Sequence, residues 1–111
     1  MARLSGGRLI TEAKVLEYLL NAEHSFGKSK AAYFRRFDFS LDAHVVLLEA
    51  LLAHPDSNQI IAVQKNHFGT KSIVQCTLRT PDGRDPCIRS VWFLEKGSKL
   101  QRLVTAYPAT E

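Results

Sequence analysis

The feature that most constrains the fold is a series of four β-rich segments in the second half of the chain, joined by short connections. These segments cover about residues 59–65, 70–79, 87–95 and 99–107, and turn-forming residues separate them. Connections this short join antiparallel neighbours, because a parallel pair needs a crossover of about a dozen residues or more. The second half of the chain therefore predicts a four-stranded antiparallel meander.

The first half carries helical periodicity instead. The pattern predicts a helix over residues 11–20, a second helix capped by Ser25, and a third from Ser40 to His54, just before Pro55. The third helix is expected to bury an aliphatic stripe: Leu41, Val45, Leu47, Leu48, Leu51 and Leu52. The predicted fold class is α+β, with three N-terminal helices packed on a four-stranded antiparallel sheet, whose other face forms a shallow site.

Length and composition indicate a single domain over residues 1–111, with a helical part at about 9–54 and a sheet part at about 59–108. The chain has 111 residues, of which 45% are hydrophobic, enough for one core. It has neither a signal-peptide h-region nor a segment approaching the roughly 20 apolar residues of a membrane span. We therefore expect a cytoplasmic protein with no membrane contact.

The charge balance permits an anionic partner. The net charge is +4, and Lys28 and Lys30 precede aromatic residues in a mixture found on nucleic-acid surfaces, although a solvated helix face gives the same pattern. The sequence lacks a P-loop, a zinc-protease motif and a carboxylate cluster, so neither a metal nor a cofactor is expected. Cys76 and Cys87 are expected to be reduced packing residues, with a bridge as the alternative.

The last strand and one loop carry the residue types suited to phosphate chemistry. Simple alternation places Leu103, Thr105 and Tyr107 on one face, with Arg102, Val104 and Ala106 on the other. The loop before the second strand contains His67 and Lys71, which suit proton transfer beside a phosphate. Ordinary strand composition and an exposed loop histidine are the structural alternatives.

The sequence resembles a family of small uncharacterised bacterial domains. The resemblance is carried by Phe68-Gly69-Thr70-Lys71, Thr80-Pro81-Asp82-Gly83-Arg84, Arg89-Ser90-Val91-Trp92-Phe93 and Arg102-Leu103-Val104-Thr105-Ala106-Tyr107-Pro108, and extends to Leu9-Ile10-Thr11 and Gly27-Lys28. More distantly, helices followed by a sheet with a closing Thr-x-Tyr-Pro are similar to the barnase, EndoU, colicin and RelE superfamily of metal-independent ribonucleases, many of them toxins.

This distant resemblance implies an endoribonuclease site. Thr105 and Tyr107 match the superfamily motif, and His67 and Lys71 would complete the catalytic set. EndoU-type enzymes use two histidines, whereas the C-terminal half carries His67 alone. Either the domain is catalytically degenerate, or another cationic residue substitutes, as in RelE-like relatives; the candidates, which would also bind RNA, are Lys65, Arg89 and Arg102.

The function implied is a bacterial toxin of a toxin–antitoxin or polymorphic toxin system, cleaving RNA by attack of a 2′-hydroxyl. Its partners would be RNA and a cognate antitoxin or immunity protein, with the chain a monomer or homodimer. Two alternatives remain open: a non-catalytic module that binds a protein, such as the antitoxin or immunity partner itself, and an RNA-binding domain that has lost cleavage.

Overall fold

A five-stranded sheet is the main element of the described part of the chain. In the computed structural model the described residues are 3–11 and 28–109, with side chains of the second range described from Ala31 onward. The described elements, in chain order, are β1 (Gly7–Leu9), α1 (Lys28–Arg35), α2 (His44–Ser57), β2 (Gln59–Asn66), β3 (Gly69–Thr77), β4 (Cys87–Glu95) and β5 (Leu100–Pro108). The strands form one sheet of order β1-β5-β4-β3-β2, in which β1 is parallel to β5 and the other neighbours are antiparallel.

The predicted arrangement of three helices on a four-stranded antiparallel sheet is wrong, although the fold is a small α+β fold. The meander from β2 to β5 is confirmed, but Gly7–Leu9 forms a fifth strand that the sequence does not predict, and the sheet is mixed. The sequence does not predict β1 because three residues are too few to show the alternation typical of a strand. Its partner β5 is also distant in sequence. The described residues contain two helices, and the helix predicted at 11–20 lies outside them apart from Thr11.

Helix α2 packs against one side of the sheet, which we call the helix face. Its buried residues include Leu47 and Leu51, whereas Leu41 and Val45 of the predicted stripe are exposed. The helix begins at His44 rather than Ser40, because residues 40–43 form a turn in which the Ser40 hydroxyl accepts the Ala43 N–H. The buried hydrophobic core comprises Leu4, Ile10, Phe34, Phe39, Leu47, Leu51, Val74, Leu78, Ile88, Trp92, Leu103 and Ala106.

The end of α2 also differs from the prediction. The helix extends past Pro55 to Ser57, so the predicted end at His54 is wrong by three residues. Pro55 is buried in this last turn. The side-chain amide of Asn58 donates hydrogen bonds to the carbonyls of His54, at 2.8 Å, and Thr77, at 2.9 Å, which fastens the helix terminus to β3.

A β-bulge in β5 changes which of its side chains share a face. Trp92 of β4 pairs with Leu103 and the adjacent Val91 pairs with Thr105, so Val104 is an extra residue. The predicted grouping of Leu103 with Thr105 and Tyr107 is therefore wrong. Leu103 and Ala106 lie in the core on the helix face, whereas Arg102, Thr105 and Tyr107 belong to the opposite side.

Arg8 ties β1 to α2 and to the preceding segment. Its Nη1 donates to the Leu52 carbonyl and to Asp56 Oδ1, both at 2.8 Å, and its Nη2 donates to the Leu4 carbonyl at 3.3 Å. The Arg8 side chain is only 16% exposed, whereas that of Asp56 is 65% exposed. The bonds to backbone carbonyls therefore contribute more to stability than the ion pair does.

We expect Arg8→Met to lower the free energy of unfolding by about 2 kcal/mol, because two partly buried carbonyls lose a charged donor. Asp56→Asn is the matched comparison and should cost less than about 1 kcal/mol, since the ion pair is solvent-exposed. Urea denaturation of both variants measures the difference. Equal losses would show that the ion pair, and not the carbonyl contacts, holds β1 in place.

Candidate functional site

The side of the sheet opposite the helix face, which we call the far face, collects most of the predicted site residues. Cross-strand pairing arranges them in rows, with Arg89 between Gln75 and Tyr107, Val91 between Ile73 and Thr105, and Phe93 between Lys71 and Arg102. Alternation places these side chains on the same side, because they occupy every second position of β3 and β4. The polar members are Lys71, Gln75, Arg89, Arg102, Thr105 and Tyr107.

The row containing Arg89 places a guanidinium between an amide and a phenol on neighbouring strands. Arg89 lies directly opposite Tyr107 on β5 and opposite Gln75 on β3. Its Nε donates a 2.7 Å hydrogen bond to Gln75 Oε1, which orients the guanidinium in a half-buried position. Since a guanidinium has five N–H donors, this arrangement leaves donors to bind a phosphate beside the Tyr107 hydroxyl.

The centre of the far face is more enclosed than the shallow site that the sequence predicts. Val91 is only 5% exposed, and the adjoining Thr105 Oγ1 is buried without a hydrogen-bond partner within the described part of the chain. A buried hydroxyl that lacks a partner costs about 1–3 kcal/mol, so such groups are uncommon in folded proteins. Thr105 Oγ1 therefore keeps unused hydrogen-bonding capacity, although almost none of its surface is exposed to solvent.

Another group of predicted residues lies at the end of the far face nearest the β2–β3 turn. Lys71 and Arg102 flank Phe93 across three strands, and the Arg102 guanidinium lies 5.9 Å from the centre of the Phe93 ring. Arg102 Nη1 is also 3.8 Å from Glu95 Oε1. A shallow cavity of about 210 Å³ adjoins this group, lined by Leu9, Phe93, Glu95, Ser98, Leu100 and Arg102.

His67 does not share a site with Tyr107. It lies in the turn before β3, whereas Tyr107 occupies the row of Gln75, six residues beyond Gly69 on β3. Six strand residues span about 20 Å, so one phosphate cannot contact both side chains. The structure therefore brings Arg89, Thr105 and Tyr107 together on the far face and places His67 apart from them, at the β2–β3 turn. Lys65 is exposed near the same turn, whereas Lys28 and Lys30 begin helix α1.

His54, at which the sequence predicts the end of the third helix, is buried on the helix face. His54 Nε2 is 2.7 Å from the Cys76 carbonyl, so it carries the proton, and Nδ1 accepts a 2.8 Å bond from the Ser90 hydroxyl. Ser90 Oγ in turn accepts the Trp92 indole N–H at 2.8 Å. This series of hydrogen bonds gives each of these polar groups a partner when His54 is neutral. Burial lowers the pKa of His54, which favours the same neutral form.

We expect the free energy of unfolding to decrease as the pH is lowered below about 6.5, because the unfolded chain then protonates His54 more readily than the folded protein does. The contribution is fully present above that pH and falls by at most about 1.4 kcal/mol per pH unit. Urea denaturation between pH 8 and pH 5 measures it. His54→Gln should flatten this dependence, whereas His67→Gln, which leaves the buried chain intact, should retain it. Equal slopes in both variants would contradict the assignment.

Both cysteines are free thiols; Cys76 is exposed and Cys87 is half-buried, so the predicted packing role is wrong for Cys76. Cys76 lies one residue from the partner of Cys87 in the β3–β4 ladder. Burial is the main cause that raises the pKa of Cys87 to about 11, followed by its hydrogen bond with Cys76. The Cys87 thiol is therefore protonated at neutral pH and is a weak nucleophile.

Within residues 3–11 and 28–109, no group of three or more His, Cys, Asp or Glu side chains is arranged to hold a metal ion. Neither helix described is both long and apolar enough to cross a bilayer.

The fold and its far face define a small α+β domain built on a mixed five-stranded sheet. Residues 7–110 match the family described as "Domain of unknown function (DUF6883)", and the chain belongs to this family. The predicted resemblance to an uncharacterised family is confirmed.

Among solved structures, the fold is similar to a chain from a contact-dependent growth inhibition toxin and immunity protein complex of Klebsiella pneumoniae 342. The TM-score is 0.71 and the identity 20%, with 89% of this chain and 97% of that chain covered. No curated protein gave a significant match. At this identity the likeness establishes the fold.

Proposed function

We propose that this domain is a metal-independent endoribonuclease of a bacterial toxin–immunity system, with its active site on the far face. The observation that carries the proposal is the placement of Arg89 directly opposite Tyr107, beside the buried hydroxyl of Thr105. The similar fold in a complex of a growth inhibition toxin with its immunity protein supports the biological setting. The Thr-x-Tyr-Pro resemblance to the barnase, EndoU, colicin and RelE superfamily supports the chemistry.

The proposed reaction is attack of an RNA 2′-hydroxyl on the adjacent phosphorus. The P–O bond to the 5′-oxygen breaks, and a 2′,3′-cyclic phosphate forms. Arg89 binds the phosphate and stabilises the charge that develops on its oxygens, and Thr105 donates a hydrogen bond to the same group. Tyr107 supplies the proton that the leaving 5′-oxygen requires, and water accepts the proton of the 2′-hydroxyl.

This assignment gives the remaining predicted residues a binding role. His67, Lys71 and Arg102 lie toward the hairpin end of the face, too far from Tyr107 to act on the same phosphate. An RNA strand that extends along the sheet from the cleavage site would pass these cations. The proposal thus follows the RelE-like alternative only in part: Arg89 supplies the cationic residue of the site, and His67 is outside the catalytic set.

The direct test is incubation of the purified protein with total RNA in EDTA, with Tyr107→Phe as the matched variant that retains the ring and removes the hydroxyl. Cleavage by the wild type, and a loss of about 100-fold or more in the variant, support the proposal. Wild-type protein that leaves RNA intact in EDTA, together with normal bacterial growth during its expression, would overturn it.

A second candidate function is a protein-binding module such as the immunity partner, which the similar fold in a complex of a growth inhibition toxin and an immunity protein supports. The burial of Val91 means that contacts would be made by the half-exposed residues around it. A module of this kind requires Arg89 and Tyr107 as contact residues, without a reaction. It predicts that the protein leaves RNA intact and that its coexpression protects bacteria from a toxin of the same system.

A further inference from the structure

The turn between β2 and β3, which we call the hairpin tip (residues 66–69), holds an exposed aromatic ring that the proposed chemistry does not use. Phe68 is 66% exposed, more than any other large hydrophobic residue in the described ranges. Its ring centroid lies 4.2 Å from that of His67, at an interplanar angle of 43°. A phenylalanine held in solvent leaves its apolar surface available to a ligand.

The hairpin tip is held in one conformation by hydrogen bonds within it and by one bond to the β4–β5 turn. Asn66 Oδ1 accepts the backbone N–H groups of Phe68, at 2.8 Å, and Gly69, at 3.0 Å. The Phe68 carbonyl accepts the N–H of Lys96 from the β4–β5 turn, at 2.9 Å. The ring is therefore carried on an ordered backbone, and little further ordering of the chain is needed when a ligand binds.

The surroundings of the hairpin tip are basic. Lys71 of β3 lies on the far face, whereas Lys65 of β2 pairs with Thr70 and lies on the other side of the sheet. Lys96 and Lys99 belong to the adjoining turn that contacts Phe68. Glu95 is the nearby carboxylate, and it lies 3.8 Å from Arg102. An exposed ring among several lysines fits a nucleic acid strand, whose bases stack on aromatic rings while cations contact its phosphates.

We propose that Phe68 stacks on an unpaired base of the RNA, and that Lys71, which lies on the far face, binds the phosphate next to that base. The inference rests on the proposed function, because it extends the strand that Arg89 and Tyr107 would cleave. Phe68 lies beyond the row of Lys71, so it binds a base several nucleotides from the cleaved bond. Stacking on Phe68 requires an unpaired base, so the substrate class is single-stranded RNA or an unpaired loop.

The test uses the full chain and a fluorescein-labelled single-stranded RNA whose 2′-hydroxyls are methylated, so that binding is measured without cleavage. Phe68→Ala should weaken binding about 10-fold in fluorescence anisotropy, Phe68→Leu should weaken it similarly, and Phe68→Trp should retain it. Circular dichroism confirms that the variants are folded. An equal affinity of the alanine variant, or a leucine variant that binds as the wild type does, would overturn base stacking.

The outcomes distinguish this inference from the proposed function. Wild-type protein that cleaves RNA but binds the methylated strand independently of Phe68 would overturn the stacking alone. Protein that binds through Phe68 but leaves unmodified RNA intact would overturn the nuclease and support stacking in an RNA-binding domain. Wild-type protein that does not bind the methylated strand would overturn stacking. Cleavage of unmodified RNA would then test the proposed nuclease activity separately.

Discussion

Arg89→Ala is expected to lower the rate of RNA cleavage by about 100-fold to 1,000-fold, the loss that accompanies removal of one preorganised donor to a transition-state oxyanion. The guanidinium is held by Gln75 and faces Tyr107 across the β4–β5 ladder, so its position does not depend on the ligand. Because the charge on the phosphate oxygens increases during the reaction, most of the loss should appear in kcat.

Two comparison variants separate the role of Arg89 from a general loss of charge. Arg89→Lys keeps the positive charge but loses the planar donor fork, so its cleavage rate should lie between those of the wild type and the alanine variant. Arg79→Ala removes an exposed arginine beyond the end of β3 and should cleave at the wild-type rate. A folded Arg89→Ala protein that cleaves normally would place the reaction elsewhere.

Gly69→Ala is expected to cost about 3 kcal/mol or more of stability, because β3 passes very close to β4 at this position. A Cβ at Gly69 would overlap the carbonyl oxygen of Leu94 and would lie 2.7 Å from Cζ of Phe93. The carbonyl belongs to the backbone of a paired strand, so relief of the overlap requires displacement of the ladder. A loss of this size corresponds to a decrease in Tm of roughly 10 °C or more.

Gly97→Ala provides the matched control for Gly69→Ala. Gly97 has a φ of +88°, but an added Cβ has open space around it, so only backbone strain of about 1 kcal/mol is expected. The Tm of Gly69→Ala, measured by thermal unfolding, should therefore be well below that of Gly97→Ala. Similar Tm values would mean that β3 and β4 separate at this position without cost.

The sequence predicts the sheet better than it predicts the helices. Each strand of the meander combines β-branched and aromatic residues with turn residues at its ends, so local composition determines its bounds. Strand β1 is absent from that prediction because its three residues are stabilised by pairing with distant β5. The predicted start of α2, at Ser40, is too early because the aliphatic spacing includes Leu41. In the structure residues 41–43 form a turn, and Leu41 is exposed.

The site was predictable in its residue types but not in its arrangement. Strand alternation correctly placed Thr105 beside Tyr107, yet it grouped Leu103 with them because no local signal marked the bulge at Val104. The separation of His67 from Tyr107 depends on strand register, which sequence spacing alone does not determine. The buried role of His54 depends on Ser90, a residue on another element, so local pattern could not identify it.

The chemistry of the RNA ends tests the central claim most directly. Total RNA is incubated in EDTA with the wild-type protein and with Arg89→Ala, and the termini of the fragments are identified by mass spectrometry. Attack by the 2′-hydroxyl predicts 5′-hydroxyl ends and 2′,3′-cyclic phosphates, formed by the wild type and greatly reduced by the variant. Fragments with 5′-phosphates, or no fragments at all, would contradict the account.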